Sequence, residues 1–202
     1  MQMIMDLNQR EIIDKLSNVH YGLIELICDA SNAEPLWTII DNRISNFPEE
    51  PIIYIDQENH LPVSIHDNPK YSNLVFIGTA ATSLPLFQLF ESLEKERGIN
   101  AFVIISSLPF FPRDCSIAMI ISRIKRLADY SKCTVVLIND LRINIKSGIE
   151  APFFGNITKK YVDVRADYLN GFYRVIDHRR QKESILTEEQ QSLRKEFYGN
   201  KI

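Results

Sequence analysis

The sequence has no excess of positive charge. Its 23 lysines and arginines stand against 26 acidic residues, for a formal net charge of −3, so no global basic field holds the chain on nucleic acid and any such contact must be local. Cysteine is scarce: Cys28, Cys115 and Cys133 each lie in or beside an apolar run, and none has the paired C-x-x-C spacing of a zinc site. They read as core thiols in a reducing compartment. The four histidines, His20, His60, His66 and His178, are scattered, and no cysteine or acid completes a ligand set, so neither a metal nor another cofactor is expected. No run approaches the roughly 18 apolar residues of a membrane helix. The opening segment, Met1 to Asp6, lacks the basic stretch and apolar core of a signal peptide. A soluble, intracellular protein with no membrane partner is expected, without repeats, low-complexity tracts or an interdomain linker.

What is present reads as one α/β domain, since 202 residues with 45% hydrophobic content can bury one core. Four short apolar runs, Gly22 to Cys28, Pro51 to Asp56, Ala101 to Ser106 and Thr134 to Ile138, are bounded by polar or turn residues. They have the character of strands buried on both faces of a parallel sheet. Helical spacing separates them. Pro35 to Asn46 carries Leu36, Ile39, Ile40 and Ile44 on one side; Leu84 to Arg97 carries Leu86, Leu89, Phe90 and Leu93, with Glu91 and Lys95 placed for an i,i+4 pair; Ser116 to Tyr130 repeats the scheme. Strand and helix in alternation predict βαβ units with right-handed crossovers. After Ile138 the pattern changes. Leu141 to Gly155 reads as a surface loop, Asp163 to Tyr168 and Phe172 to Asp177 as a hairpin about Asn170-Gly171, and Leu186 to Phe197 as a charged helical tail with Thr187 as N-cap.

Read in order, several segments match one family. Asp56-Gln57-Glu58, after Ile53-Tyr54-Ile55, resembles the Y-I-D-T-E motif that ends the second core strand of eukaryotic RecA-like recombinases. Arg126-Leu127-Ala128-Asp129, followed by Val135 to Asn139, is similar to their R-L-A-D…V-V-I-T-N-Q segment. Gly155-Asn156-Ile157 resembles the G-G-N-I that closes their second DNA-binding loop, and Arg165 falls where they have T-R-L. The likeness runs from about Asp14 to about Asp177. It implies a RecA-like P-loop-type ATPase core, a mostly parallel twisted sheet flanked by helices, with a C-terminal antiparallel hairpin.

The departures from that family carry the functional expectation. A P-loop needs glycines so that backbone N–H groups approach the phosphates, a lysine for the β and γ oxygens, and a Ser or Thr for Mg²⁺. By the resemblance, Asp29 and Glu34 stand in place of two glycines, Pro35 in place of the lysine and Leu36 in place of the hydroxyl residue. Two carboxylates would face triphosphate, and the proline removes an N–H. Ile105 occupies the position of the Mg²⁺-binding aspartate and Asp140 that of the glutamine that senses the γ-phosphate. Glu58 matches the glutamate that orients the attacking water, but a lone acid does not make the constellation. Not an enzyme but a degenerate ATPase core is therefore expected. The first DNA-binding loop is also cut short, Ser107 to Ser116 running directly into the next helix.

Nucleotide-blind cores of this kind resemble divergent recombinase paralogues, such as those of Shu-type complexes or the short paralogue-interacting subunit of nematode mediators. The resemblance implies a nuclear, non-catalytic subunit that pairs with an ATP-competent paralogue and promotes recombinase filaments on single-stranded DNA. Candidate DNA contacts are Arg113, with Phe110 and Phe111 as a stacking platform, and Arg142 and Lys146 in the second DNA-loop equivalent. The dense basic run with His178, Arg179, Arg180 and Lys182 is a candidate interface for DNA phosphate or an acidic partner, or a solvated strand end. Trp37 reads as core. The alternatives are a nucleotide hydrolase with an atypical phosphate site and Glu58 as its base, and a RecA-like scaffold reused outside DNA repair.

Overall fold

The computed structural model describes residues 14, 16–28, 34–56, 68–78, 82–96, 100–106, 108–143, 150–169 and 172–177, with backbone alone at 34–35, 143, 150, 168–169 and 172–177. In chain order the elements are β1 (Gly22–Ile27), α1 (Glu34–Asn46), β2 (Ile52–Asp56), β3 (Leu74–Gly78), α2 (Ser83–Lys95), β4 (Phe102–Ser106), α3 (Ile117–Ser131), β5 (Thr134–Asn139), β6 (Leu141–Ile143), β7 (Glu150–Pro152), α4 (Gly155–Thr158), β8 (Val164–Leu169) and β9 (Phe172–Asp177). Single 3₁₀ turns at Pro69–Tyr71 and Leu108–Phe110 lie between them.

Every residue of β1, β2 and β4 is buried, which is why these strands are apolar apart from Glu25, Asp56 and Ser106 and do not alternate. Among the described residues, seven strands form one sheet in the order β3-β2-β4-β5-β1-β8-β9. The first six are parallel, and β9 returns antiparallel along β8. On one face Leu23, Ile55, Val103, Ile105 and Leu137 pack under α2 and α3, which contribute Leu86, Phe90, Ile120 and Ile124. On the other, Ile24, Leu26, Tyr54, Ile104 and Val136 meet Leu36, Ile39 and Ile40 of α1. The chain is thus an α/β protein with a helix-flanked parallel sheet and a small antiparallel hairpin.

Three expectations need correction. β3 was not foreseen; it is the strand at the end of the sheet, with Val75 and Gly78 exposed. Leu141 to Gly155 is not simply a surface loop: β6 and β7 pair as an antiparallel ribbon, Arg142 opposite Ala151, and α4 follows at once. The pairing of Glu91 with Lys95 gives way to one across helices, Arg123 donating to Glu91 at 2.9 Å, with Arg126 and Glu94 3.4 Å apart one turn on. Packing of α2 against α3 brings the arginines closer to these acids than helical spacing alone implies. The 186–197 tail with Thr187, and the Asn170-Gly171 turn, lie outside the described residues.

Dense polar contacts fasten the amino-terminal edge of the sheet. The Arg43 side chain, 2% exposed, forms a two-pronged pair with Glu50 and donates through Nη1 to the carbonyls of Ser17, at 2.6 Å, and Val19, at 3.0 Å. Its guanidinium lies over the rings of Phe47 and Phe102. Nearby, Asp163 Oδ2 accepts from the Leu23 N–H at 2.8 Å and from Lys125 Nζ at 2.7 Å. Burial pulls the Lys125 ammonium down, but its hydrogen bonds to Asp129 and Asp163 outweigh this and raise it above the usual lysine range.

Gly22 opens β1 beside this cluster with φ +126°. A Cβ there would lie 2.9 Å from Asp163 Oδ2. We therefore expect Gly22→Ala to destabilise the fold by about 1–3 kcal/mol, through backbone strain and displacement of the Asp163 carboxylate. Urea unfolding monitored by circular dichroism measures it, and a variant as stable as the parent would refute this account of Gly22.

Candidate functional site

Open parallel sheets bind ligands outside the carboxyl ends of their strands. Here that edge is formed by the ends of β1, β2, β4, β5 and β8; of the residues assigned to phosphate, metal and sensor chemistry, Pro35, Leu36, Ile105 and Asp140 are described. Leu36 is 3% exposed and packs with Ile39 and Ile40 beneath the sheet. Pro35 lies in the first turn of α1, where a missing N–H is tolerated by the helix but is lost to a phosphate. Ile105 has no exposure and belongs to the opposite core layer; an aliphatic side chain there offers no ligand to a cation. At the adjoining strand end, Ser106 Oγ donates to Asp56 Oδ1 at 3.2 Å, both residues being buried.

Asp140 is half-buried and turned onto its own backbone. Its Oδ1 accepts from the Leu141 N–H at 2.7 Å, and its carbonyl accepts from the Phe153 N–H at 3.0 Å, closing the base of the β6–β7 ribbon. The side chain expected at a sensor position thus takes part in a turn. Asp29 and Glu58 lie outside the described residues, as does the Glu34 side chain.

Beneath this edge runs a polar network that was not foreseen from the sequence. Glu25, in the middle of β1 with no exposure, stands in register with Arg165 on β8. Glu25 Oε2 accepts from Arg165 Nε at 2.7 Å, and Oε1 accepts from Asn139 Nδ2 at 2.7 Å. Asn139 Nδ2 also donates to the Phe153 carbonyl at 2.8 Å, and Arg165 Nη2 to Thr158 Oγ1 at 2.8 Å and the Gly155 carbonyl at 3.4 Å. One signal was available: an acid inside a run buried on both faces must be paired. Its partner was not, because the register of β1 with β8 is set only by folding.

The segment between β4 and α3 is held in one place by its own side chains. Leu108, Phe111 and Pro112 are buried, and the Asp114 carboxylate accepts from the Ser83 N–H at 3.0 Å and from Ser83 Oγ at 3.1 Å. Thr82, the N-cap of α2, makes no capping bond of its own, so Asp114 supplies that cap from a neighbouring segment. Phe110 is 58% exposed, and Arg113, three residues on in the chain, is exposed too. Phe111, expected in the stacking platform, is 2% exposed and packs in the core instead. Leu84 and Met119 are also exposed, in the first turns of α2 and α3.

Of the other candidates, Arg142 is exposed on β6. Lys146, His178, Arg179, Arg180 and Lys182 lie outside the described residues. Trp37 is half-buried, its ring parallel to that of Tyr54 at 6.4 Å and edge-on to Tyr71 at 5.9 Å. Cys28 and Cys133 are buried and Cys115 is half-buried; burial pushes the Cys133 thiol up. Among the described residues, no group of three or more His, Cys, Asp or Glu side chains is arranged to hold a metal ion, and no helix is long and apolar enough to cross a membrane. No protein-family model and no curated protein matches the chain.

Proposed function

We propose that this chain is a divergent RecA-like recombinase paralogue that acts without nucleotide, as the non-catalytic subunit of a heteromeric complex promoting recombinase filaments on single-stranded DNA. On this reading it works in the nucleus, in recombinational repair. Its partners are an ATP-competent paralogue, the recombinase and, directly or through them, the single strand. The observation that carries the reading is the state of the strand ends. Leu36 and Ile105 are enclosed in the two core layers and Asp140 is committed to a turn, while the described strands of the sheet, the β6–β7 pairing and residues 108–116 keep their places around them. Phosphoryl transfer needs its cation, metal ligand and water-orienting group together. A fold kept without them supports a role through contact surfaces.

Two such surfaces are described. Phe110 offers a ring for a base or an apolar partner side chain, with Arg113 three residues on for charge. Arg142 offers a cation on the ribbon. The chain co-purified with a candidate paralogue is expected to raise several-fold the coverage of single-stranded DNA by recombinase, read by electron microscopy or nuclease protection. Titration of the isolated chain with Mg²⁺-ATP is expected to show no saturable binding. Unchanged filament coverage with the native partner would remove the architectural role, and saturable micromolar nucleotide binding would favour the hydrolase instead.

A further inference from the structure

We propose that Glu25 is a positioning residue which, through Arg165 and Asn139, latches the β6–β7 strand pair and α4 as one unit onto the sheet without any bound nucleotide, so that the surface this unit carries is permanently presented. Each oxygen of the Glu25 carboxylate serves a different arm. Oε1 holds Asn139, whose same amide nitrogen reaches the Phe153 carbonyl; Oε2 holds Arg165, whose outer nitrogen reaches Thr158 Oγ1 and the Gly155 carbonyl. One buried charge in the middle of β1 therefore grips the unit at two places, the turn after β7 and the short helix α4.

The unit needs such support. Its strands are three residues each, and α4 spans four, lengths that are marginal without tertiary contacts. The chain between them is turned sharply, with Phe154 at φ +52° and Gly155 packed against Pro152. A buried carboxylate is costly unless its partners are well placed, and an apolar side chain would fill the same core position. A charge kept there is explained by what it fixes.

The latch is complete within the chain. Asn139 Oδ1 is engaged as well, accepting from the Asp140 N–H at 2.9 Å, so the strand end beside the degenerate site is held by protein groups. What the latch presents is cationic, since the exposed charged side chains described on the unit and just after it, Arg142, Lys159 and Lys160, are all positive. The latch rests on the network's own geometry, while its independence of nucleotide rests on the reading proposed above; exchange in the Glu25 and Thr158 variants tests the first and Mg²⁺-ATP the second.

Hydrogen exchange by mass spectrometry on the full chain tests it. In Glu25→Gln, amides within 141–143 and 150–158 are expected to exchange about tenfold faster while those of β2 and β4 keep the parental rate. Thr158→Val, which removes the Arg165–Thr158 contact and the weak Thr158 Oγ1 bond to the Gly155 carbonyl but leaves the Glu25 carboxylate and its bonds to Arg165 and Asn139, is expected to show the same local pattern more weakly and decides the matter if Glu25→Gln does not fold. Arg165→Lys, which keeps the charge but loses the fork, is expected to resemble Thr158→Val. Millimolar Mg²⁺-ATP is expected to leave the parental pattern unchanged. Unaltered exchange in 141–143 and 150–158, a uniform rise across the sheet in Thr158→Val, or nucleotide-dependent protection of the unit would each overturn the proposal.

Discussion

Arg43→Met is expected to lower the unfolding free energy by about 3–5 kcal/mol, the usual cost of removing one partner from a buried ion pair. The methionine keeps much of the stem volume between Phe47 and Phe102 but leaves Glu50, 10% exposed, without its countercharge. It also withdraws the donor from the Ser17 and Val19 carbonyls, which hold the segment before β1. Adding Glu50→Leu should recover part of the loss and not all of it: the stranded charge is gone, while the two carbonyls still lack their donor. Urea midpoints for the two single variants and the double variant close the cycle. A loss under about 1 kcal/mol in Arg43→Met would mean the pair contributes no more than a surface salt bridge.

Ile105→Asp restores the residue that the family resemblance expects for Mg²⁺, and it is expected to damage the protein rather than revive it. Ile105 has no exposure and packs in the layer with Ile55, Val103 and Leu137. The substitution forfeits the burial of an isoleucine, about 1.5–3 kcal/mol, and leaves a polar group without a partner, about 1–3 kcal/mol more, for a total loss of roughly 3–6 kcal/mol. No lysine and no hydroxyl are supplied at positions 35 and 36, so Mg²⁺-ATP binding should stay undetectable by calorimetry. A variant within about 1 kcal/mol of the parent that bound nucleotide saturably would overturn this view of the β4 end.

The parts of the fold that were legible in the sequence are those in which burial alone dictates residue type. β1, β2, β4 and β5 lie inside the sheet with both faces covered, and their apolar runs identified them. Helices α1, α2 and α3 followed from spacing because each has one buried side, as α3 does with Ile120, Ile121, Ile124 and Leu127. β3 escaped because Leu74 to Ile77 is too short a run to separate strand from helix. The β6–β7 ribbon escaped because its residues are set by Asn139 and Asp140 reaching across it, a tertiary cause with no local period. At the candidate site the family resemblance drew attention to Ile105 and Asp140, whereas Glu25 and Arg43, the two most enclosed ionic groups described, attracted no notice. Their roles depend on partners 140 and 7 residues away in sequence, brought close only when the strands and the turn before β2 are in place.

The strand order also governs how the molecule must be made. Ile24 of β1 lies between Val136 of β5 on one side and Val164 of β8 on the other, so β1, made before the other described strands, must wait for neighbours more than a hundred residues later in the chain. At roughly 5–20 residues per second of synthesis, its apolar edge waits on the order of ten seconds for both. Nearby pairings such as β2 with β3 have much shorter loops to close and should form first. Nascent chains of this protein are therefore expected to depend on holding chaperones until β8 emerges, and fragments ending before β8 should be prone to aggregate.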